Sequence, residues 1–488
     1  MRLFRAQVLT TLFVLTLLAA VATAEATLPS LLADHMVIQR GLPVHVWGMA
    51  APQEAVTVIF RGETKSTNAD ELGRWSLYLS VGEAGGPFSM VVKAANTITL
   101  SDVMVGDVWV ASGQSNMEFP MTGLKTSDAE IAAAKHPEIR FFMVDHRPAD
   151  YPGPDVPGKA WTLCTPESVA KTSAVAYYFA REVAARQHVT VGLIESFWGG
   201  TTAESWTSLR ALSADASLMP VFAARNTMVE SQAATLLQRE QEDREYQKAV
   251  AQAQAEGKPA PWPQWHPDFA GWAPSALYNG MIAPLTPFAI RGVIWYQGES
   301  NAGPERAPIY AHLFQTMIRD WRRSWDEGDF PFLFVQLANW KTGPGARWPE
   351  VRDAQRQTLA LKNTGMAVII DVGNPDDLHP KDKLDVGLRL SLAARAIAYG
   401  EKIEWSGPLY KQLTSEEHAL RVWFDHAEGL TARGGEVTGF EVVGADGKYS
   451  PAQAKIEGIS VVVSSAAVPT PVSVRYAWAD SPTCNLYN

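Results

Sequence analysis

Between about residues 101 and 400, apolar residues come in short unbroken runs, whereas on either side of that span they alternate with polar ones. The unbroken runs are Val108-Trp109-Val110-Ala111, Val191-Gly192-Leu193-Ile194, Val293-Ile294-Trp295-Tyr296, Phe332-Leu333-Phe334-Val335 and Ala367-Val368-Ile369-Ile370. Runs of this kind suit strands buried on both faces, and helical stretches between them imply a largely parallel sheet in an α/β domain. Two such helices are expected over 173–186, with Ser173 as N-cap, and over 384–399. Residues 25–100 read instead as a β domain of sandwich type. Alternating segments such as Val44-His45-Val46-Trp47, Val56-Thr57-Val58-Ile59-Phe60 and Trp75-Ser76-Leu77-Tyr78-Leu79 are separated there by turn residues. Alternation returns over 401–488, in Leu420-Arg421-Val422-Trp423-Phe424 and Ile459-Ser460-Val461-Val462-Val463, predicting a second β domain. Residues 208–270 interrupt the central pattern with a Gln-, Glu- and Ala-rich stretch, expected as a helical insertion that covers part of the site.

The first 24 residues fit neither pattern. Arg2 and Arg5 precede an apolar stretch from Val8 to Ala20, and Ala22-Thr23-Ala24 supplies a small-x-small cleavage signal. That stretch is short for crossing a bilayer, which takes about 20 apolar residues. The expectation is a signal peptide at 1–24 and an exported protein, periplasmic or extracellular, whose mature chain does not insert in a membrane. Removing Arg2 and Arg5, with no acidic residue among the 24, takes the formal charge from −10 to −12. A surface of that sign argues against nucleic acid as a partner, because phosphate binding needs clustered Lys and Arg. Seventeen tryptophans lean toward a carbohydrate ligand, since sugars pack on exposed aromatic faces. Cys164 and Cys484 are too few for a disulfide scaffold, and whether they pair is left open.

Four segments place reactive side chains at the C-terminal ends of the apolar runs, the sheet edge where ligands bind in open α/β folds. Ser112-Gly113-Gln114-Ser115-Asn116 puts a serine hydroxyl on a turn, with a helix N-terminus expected behind it. Asn374-Pro375-Asp376-Asp377-Leu378-His379 offers an imidazole with a carboxylate three residues earlier. That carboxylate can fold back on Nδ1 and leave Nε2 free to take the serine proton; Asp377 is the neighbouring alternative. Tyr296-Gln297-Gly298-Glu299-Ser300-Asn301 presents a carboxamide able to donate to an oxyanion, and Trp198-Gly199-Gly200-Thr201 supplies further N–H donors.

The Gly-Gln-Ser-Asn of 113–116, the Gly-x-x-Asn of 298–301 and the Asp-x-x-His of 376–379 resemble the SGNH hydrolase superfamily. More narrowly, the chain resembles bacterial sialate O-acetylesterases and related carbohydrate acetylesterases. That resemblance implies a flavodoxin-like three-layer α/β/α core flanked by β-sandwich-like modules. It implies Ser115 as nucleophile, His379 as base and Asp376 as its orienting acid. The oxyanion hole would use Ser115, Gly199 or Gly200, and Asn301. Gln114, Gln297, Glu299, Trp198 and Trp206 are further candidates for substrate contact, with Trp262, Trp265 and Trp340 as possible aromatic walls. The reaction expected is two-step removal of O-acetyl groups from carbohydrate, with no metal and no organic cofactor. Sialic acid, xylan, xyloglucan and pectin acetates remain open as substrates. A non-catalytic carbohydrate-binding protein is the alternative class, but it leaves the meeting of Ser115, Asn301 and His379 at strand ends unexplained.

Overall fold

A computed structural model of the chain describes residues 25–124, 127–158, 160–261 and 263–488. The expected signal segment 1–24 and Trp262 lie outside the described residues. The central element is a strand of 17 residues, Thr97–Gly113. Its first half pairs with strands of the N-terminal β domain, Val37–Gln39 and Gly85–Lys93. Its second half, fully buried, pairs in parallel with Val191–Phe197 on one side and Gly292–Tyr296 on the other. The boundary expected near residue 100 therefore falls within a continuous strand, and the two domains share one sheet.

Six parallel strands form the core. From one edge to the other they are His136–Met143, Val191–Phe197, Thr97–Gly113, Gly292–Tyr296, Phe332–Val335 and Thr364–Ala367. In chain order this reads 2-3-1-4-5-6, so the connections run to opposite sides of Thr97–Gly113 and open a crevice at its carboxyl end. It is an α/β core with a mostly parallel sheet, as expected. It differs from the flavodoxin order 2-1-3-4-5 in that Val191–Phe197, not His136–Met143, is the neighbour of the first strand. The last strand also ends at Ala367 rather than Ile370.

Successive residues of each strand pack on opposite faces, as a period of two requires. Val108, Val110, Val293, Trp295, Phe332 and Phe334 join the helices Ala307–Trp325 and Trp348–Thr358 in one buried cluster. Trp109, Ala111, Ile294, Tyr296, Leu333 and Val335 join the helices Ala174–Gln187 and Lys383–Ile397 in another. This gives three layers. The Ser173 side chain caps Ala174–Gln187 by accepting the Ala176 N–H at 3.1 Å, the role its position in the sequence suggested. Asp382 caps Lys383–Ile397 in the same way, through the Asp385 N–H at 3.0 Å.

The C-terminal β domain holds a four-stranded sheet and a three-stranded one around its own core, which includes Val422, Phe440, Val461 and Val463. The insertion is helical over Pro220–Glu230 and Gln232–Ala255, and the second helix buries no residue. Its contribution lies in what it holds. Arg225 and Arg239 donate to the carbonyls of Phe269 and Pro267, fixing a segment that carries Trp265 and Trp272 to the rim of the crevice. Both cysteines are free, and Cys164 is buried in the sheet.

Candidate active site

Three strand ends lie level at the crevice. Gly113 is in register with Phe197 on one side and Tyr296 on the other. The pairing extends one step further, with Gln114 N–H donating to Tyr296 O (2.9 Å) and Trp198 N–H to Gly113 O (3.1 Å). Gly113 has φ +137°, and a Cβ there would stand 2.2 Å from the Tyr296 carbonyl, so only glycine permits this approach. Ser115 opens the helix Ser115–Glu118, which is a single turn. The helix dipole expected behind the hydroxyl is correspondingly small.

His379 arrives from the loop after Thr364–Ala367. Its Nε2 lies 2.9 Å from Ser115 Oγ, the distance of a hydrogen bond donated by the hydroxyl to a neutral ring. Burial first, and then the positive charge of Lys383, lower the imidazole below its ordinary pKa, against the opposing charge of Asp377. The ring is thereby held as a base. Phe119 tilts against it at 6.1 Å between centroids.

The carboxylate assignment differs from expectation. Asp376 is 79% exposed and accepts from Lys341 Nζ at 3.3 Å; among the described residues no hydrogen bond joins it to His379. Asp377 faces the loop instead, accepting the His379 backbone N–H on Oδ1 at 2.9 Å. Burial would raise the Asp377 carboxyl, but that N–H and the Lys381 charge outweigh burial and hold it low. The reason is local. Asn374 Oδ1 accepts the Asp376 N–H, forming a tight turn that carries the Asp376 side chain outward.

The Asn301 carboxamide is likewise committed to protein partners. It is fully buried, its Oδ1 accepts from Ala203 N–H (2.9 Å) and Gln297 Nε2 (2.6 Å), and its Nδ2 donates to Glu204 Oε2 (2.9 Å). It supports the loop behind Gly199 and Gly200. Gln297 also donates to Thr201 O and receives the Tyr310 hydroxyl, while Gln114 Oε1 accepts from Gly298 and Ser300 N–H. Both glutamines are buried and tie strand ends together rather than facing a ligand. Trp206 is fully buried, donating Nε1 to Thr201 Oγ1, and belongs to the core. Trp340 packs half-buried on Trp348. Glu299 accepts from Asn116 Nδ2 at 2.6 Å.

Gly199 does reach the nucleophile. A Cβ on Gly199 would stand 3.2 Å from Ser115 Cβ and 3.0 Å from Glu118 Oε2, a tight fit that these neighbours would have to relieve by a few tenths of an ångström. Its N–H donates to Glu118 Oε2 at 2.5 Å, and Glu118 Oε1 is 3.4 Å from His146 Nε2. His146 stacks on Trp198 at 4.4 Å with 6° between planes. Burial lowers the His146 pKa, but the Glu118 carboxylate outweighs it and the net shift is upward. Across Gly200 stands Trp265, 59% exposed, with Trp272 behind it donating to Gly200 O. Glu118 and His146 were not singled out in the sequence, although Glu118 sits three residues beyond Ser115. Nothing in sequence spacing links residue 118 to residue 199.

A serine in contact with a neutral imidazole, at the carboxyl edge of a parallel sheet, has the geometry of a serine-dependent hydrolase, and the exposed indole of Trp265 stands beside it. Comparison with known proteins agrees. Residues 260–398 match the model of the family "Carbohydrate esterase, sialic acid-specific acetylesterase". The sialate O-acetylesterase of Mus musculus is 30% identical, over 93% of this chain and 90% of its own; that of Homo sapiens is 28% identical, over 91% and 86%. A crystal structure of a carbohydrate acetylesterase from Xanthomonas citri shares 38% identity and a TM-score of 0.81, covering 95% of this chain and 96% of its own. The chain belongs to the sialate O-acetylesterase family of carbohydrate esterases, and it catalyses carbohydrate O-deacetylation.

Asn301→Ala would leave the buried Ala203 N–H and Glu204 Oε2 without those partners, each at a cost of about 1–3 kcal/mol. Its melting temperature is expected to fall by several degrees, measured by circular dichroism, alongside any loss of activity.

Proposed function

We propose that the protein removes O-acetyl groups from sialic acid-type sugars through an acetyl-serine intermediate. The observation that carries this reading is the 2.9 Å contact between Ser115 Oγ and His379 Nε2. His379 takes the Ser115 proton as Oγ attacks the acetyl carbonyl carbon. The carbonyl electron pair moves onto oxygen, which is stabilised by the backbone N–H groups of Ser115 and Gly200, that of Gly199 being taken by Glu118. Collapse returns that pair to the carbonyl, and His379 protonates the departing sugar oxygen. Water, deprotonated by His379, then attacks the acetyl-serine and releases acetate. A carboxylate of the Asp376-Asp377 pair balances the imidazolium, and Asp377 is the one whose charge acts on the ring. Trp198 and Trp265 supply the faces on which the sugar packs.

Ser115→Ala is expected to abolish acetate release from O-acetylated sialic acid and from p-nitrophenyl acetate, while the circular dichroism spectrum stays unchanged. Turnover by that variant would require another nucleophile. Comparable release from acetylated xylan by the parent enzyme would move the substrate to hemicellulose.

Activity requires the neutral imidazole, and its pKa is lowered. The acid limb of kcat/KM is therefore expected below the ordinary histidine value of about 6.5, with activity lost only as pH falls through the lowered pKa. A limb above that value would contradict the buried environment of the ring.

The reading includes export directed by residues 1–24. Expression of the full chain in a bacterium is expected to place a product beginning at Glu25 in the periplasm or medium, as read by fractionation and N-terminal sequencing; a cytosolic full-length product would exclude it.

A further inference from the structure

Beneath Ser115 lies a buried polar cluster that acyl transfer does not itself consume. Lys383, the first residue of Lys383–Ile397, is wholly buried, and its Nζ donates to Asn116 Oδ1 at 2.5 Å. The ammonium also lies 5.1 Å and 5.2 Å from the ring centroids of Phe119 and Tyr296. Asn116 Nδ2 donates to Glu299 Oε1 at 2.6 Å and to the Leu378 carbonyl at 3.1 Å. Glu299 Oε2 is buried with no hydrogen-bond partner among the described residues. One carboxamide thus joins four segments. Asn116 follows Ser115 in the chain and Leu378 precedes His379, so a shift in this cluster passes directly to the Oγ–Nε2 contact.

Such a cluster is expensive. Burial brings the Lys383 pKa down to about 7 against the opposing charge of Glu299, and burial raises the Glu299 carboxyl. Apolar residues of similar volume would pack there at no electrostatic cost, so a charged pair points to a task. We infer that Lys383, Asn116 and Glu299 are positioning residues for deacetylation, a buried clamp that fixes the register between the Ser115 turn and the His379 loop and keeps a cation behind the imidazole. The inference rests on the Ser115–His379 reading above.

The charges around His379 come from several elements. Lys383 belongs to the following helix; Asp377 and Lys381 belong to the loop of His379 itself. Asp376 turns out to Lys341, and Glu118, on the helix of the serine, is engaged by Gly199 and His146. Glu299 reaches the ring only through Asn116 and Lys383. Removing the Lys383 charge lets the imidazole keep its proton to higher pH. Because the neutral ring is the active form, the acid limb then moves upward.

The test compares Lys383→Met/Glu299→Gln and Glu299→Gln alone with the parent, using pH profiles on p-nitrophenyl acetate and thermal melts. The double variant leaves no buried charge unpaired. Glu299→Gln retains the acceptor for Asn116 but withdraws the charge that holds the Lys383 proton. Both are expected to raise the acid limb, the double variant by about half a pH unit or more, with kcat down about tenfold and KM within about threefold. A cooperatively melting variant with an unmoved limb and kcat within about twofold of the parent would overturn the clamp. Should the double variant fail to fold, Glu299→Gln decides alone. Ser115→Ala separates the two failures: if it is inactive while the limb stays fixed, only the clamp falls, and if it is active, the catalytic pair itself falls.

Discussion

Backbone pairing along both edges of Thr97–Gly113 is the constraint on which the site depends. Parallel strands lie about 4.8 Å apart, and here three of them end at one level, marked by Gly113, Phe197 and Tyr296. Each chain then leaves the sheet within a residue or two. Ser115, Gly199 and Glu299 are thereby delivered to one small volume, although they are separated in sequence by tens to hundreds of residues. Only glycine at 113 allows the last step of that pairing, because a side chain would collide with the neighbouring carbonyl.

Below this rim the structure places polar side chains in a continuous buried layer. Asn301 bridges Glu204 and Ala203, Glu204 receives Arg306, and Gln297 joins Thr201, Asn301 and Tyr310. Loops carry backbone groups with no ladder partner, and a buried loop is tolerable only when side chains satisfy them. The side-chain amides of Asn301, Gln297 and Gln114 satisfy such groups here. Their rigidity fixes the catalytic groups within the narrow tolerances that acyl transfer demands.

The long strand also explains why the N-terminal β domain and the catalytic core are not separable modules. One half of Thr97–Gly113 closes a small sandwich and the other half is the innermost strand of the catalytic sheet. The insertion at 208–270 is connected more loosely. Its long helix buries nothing, and it acts through the two arginines that hold the Trp265 segment against Gly200.

The alternation of strands and helices, the buried helix cap at Ser173, and the pairing of Ser115 with His379 were all legible in the chain. Each follows from residue type at short range, or from the rule that ligands gather at the carboxyl edge of a parallel sheet. What the chain did not disclose was which way side chains turn once they arrive. Asp376 and Asp377 are adjacent and chemically equivalent, and only the turn closed by Asn374 sends the first outward and the second inward. Asn301 and Gln297 read as ligand contacts because carboxamides serve equally well as donors to a substrate or to a buried loop. Glu118, Lys383 and Asn116 were placed by contacts across distances that no local pattern encodes. Residue types and their periodicity determined the sheet and its reactive edge; the packing of four loops against one another decided the partners of each polar atom, because hydrogen-bond satisfaction in a buried site is settled jointly by all the segments that meet there.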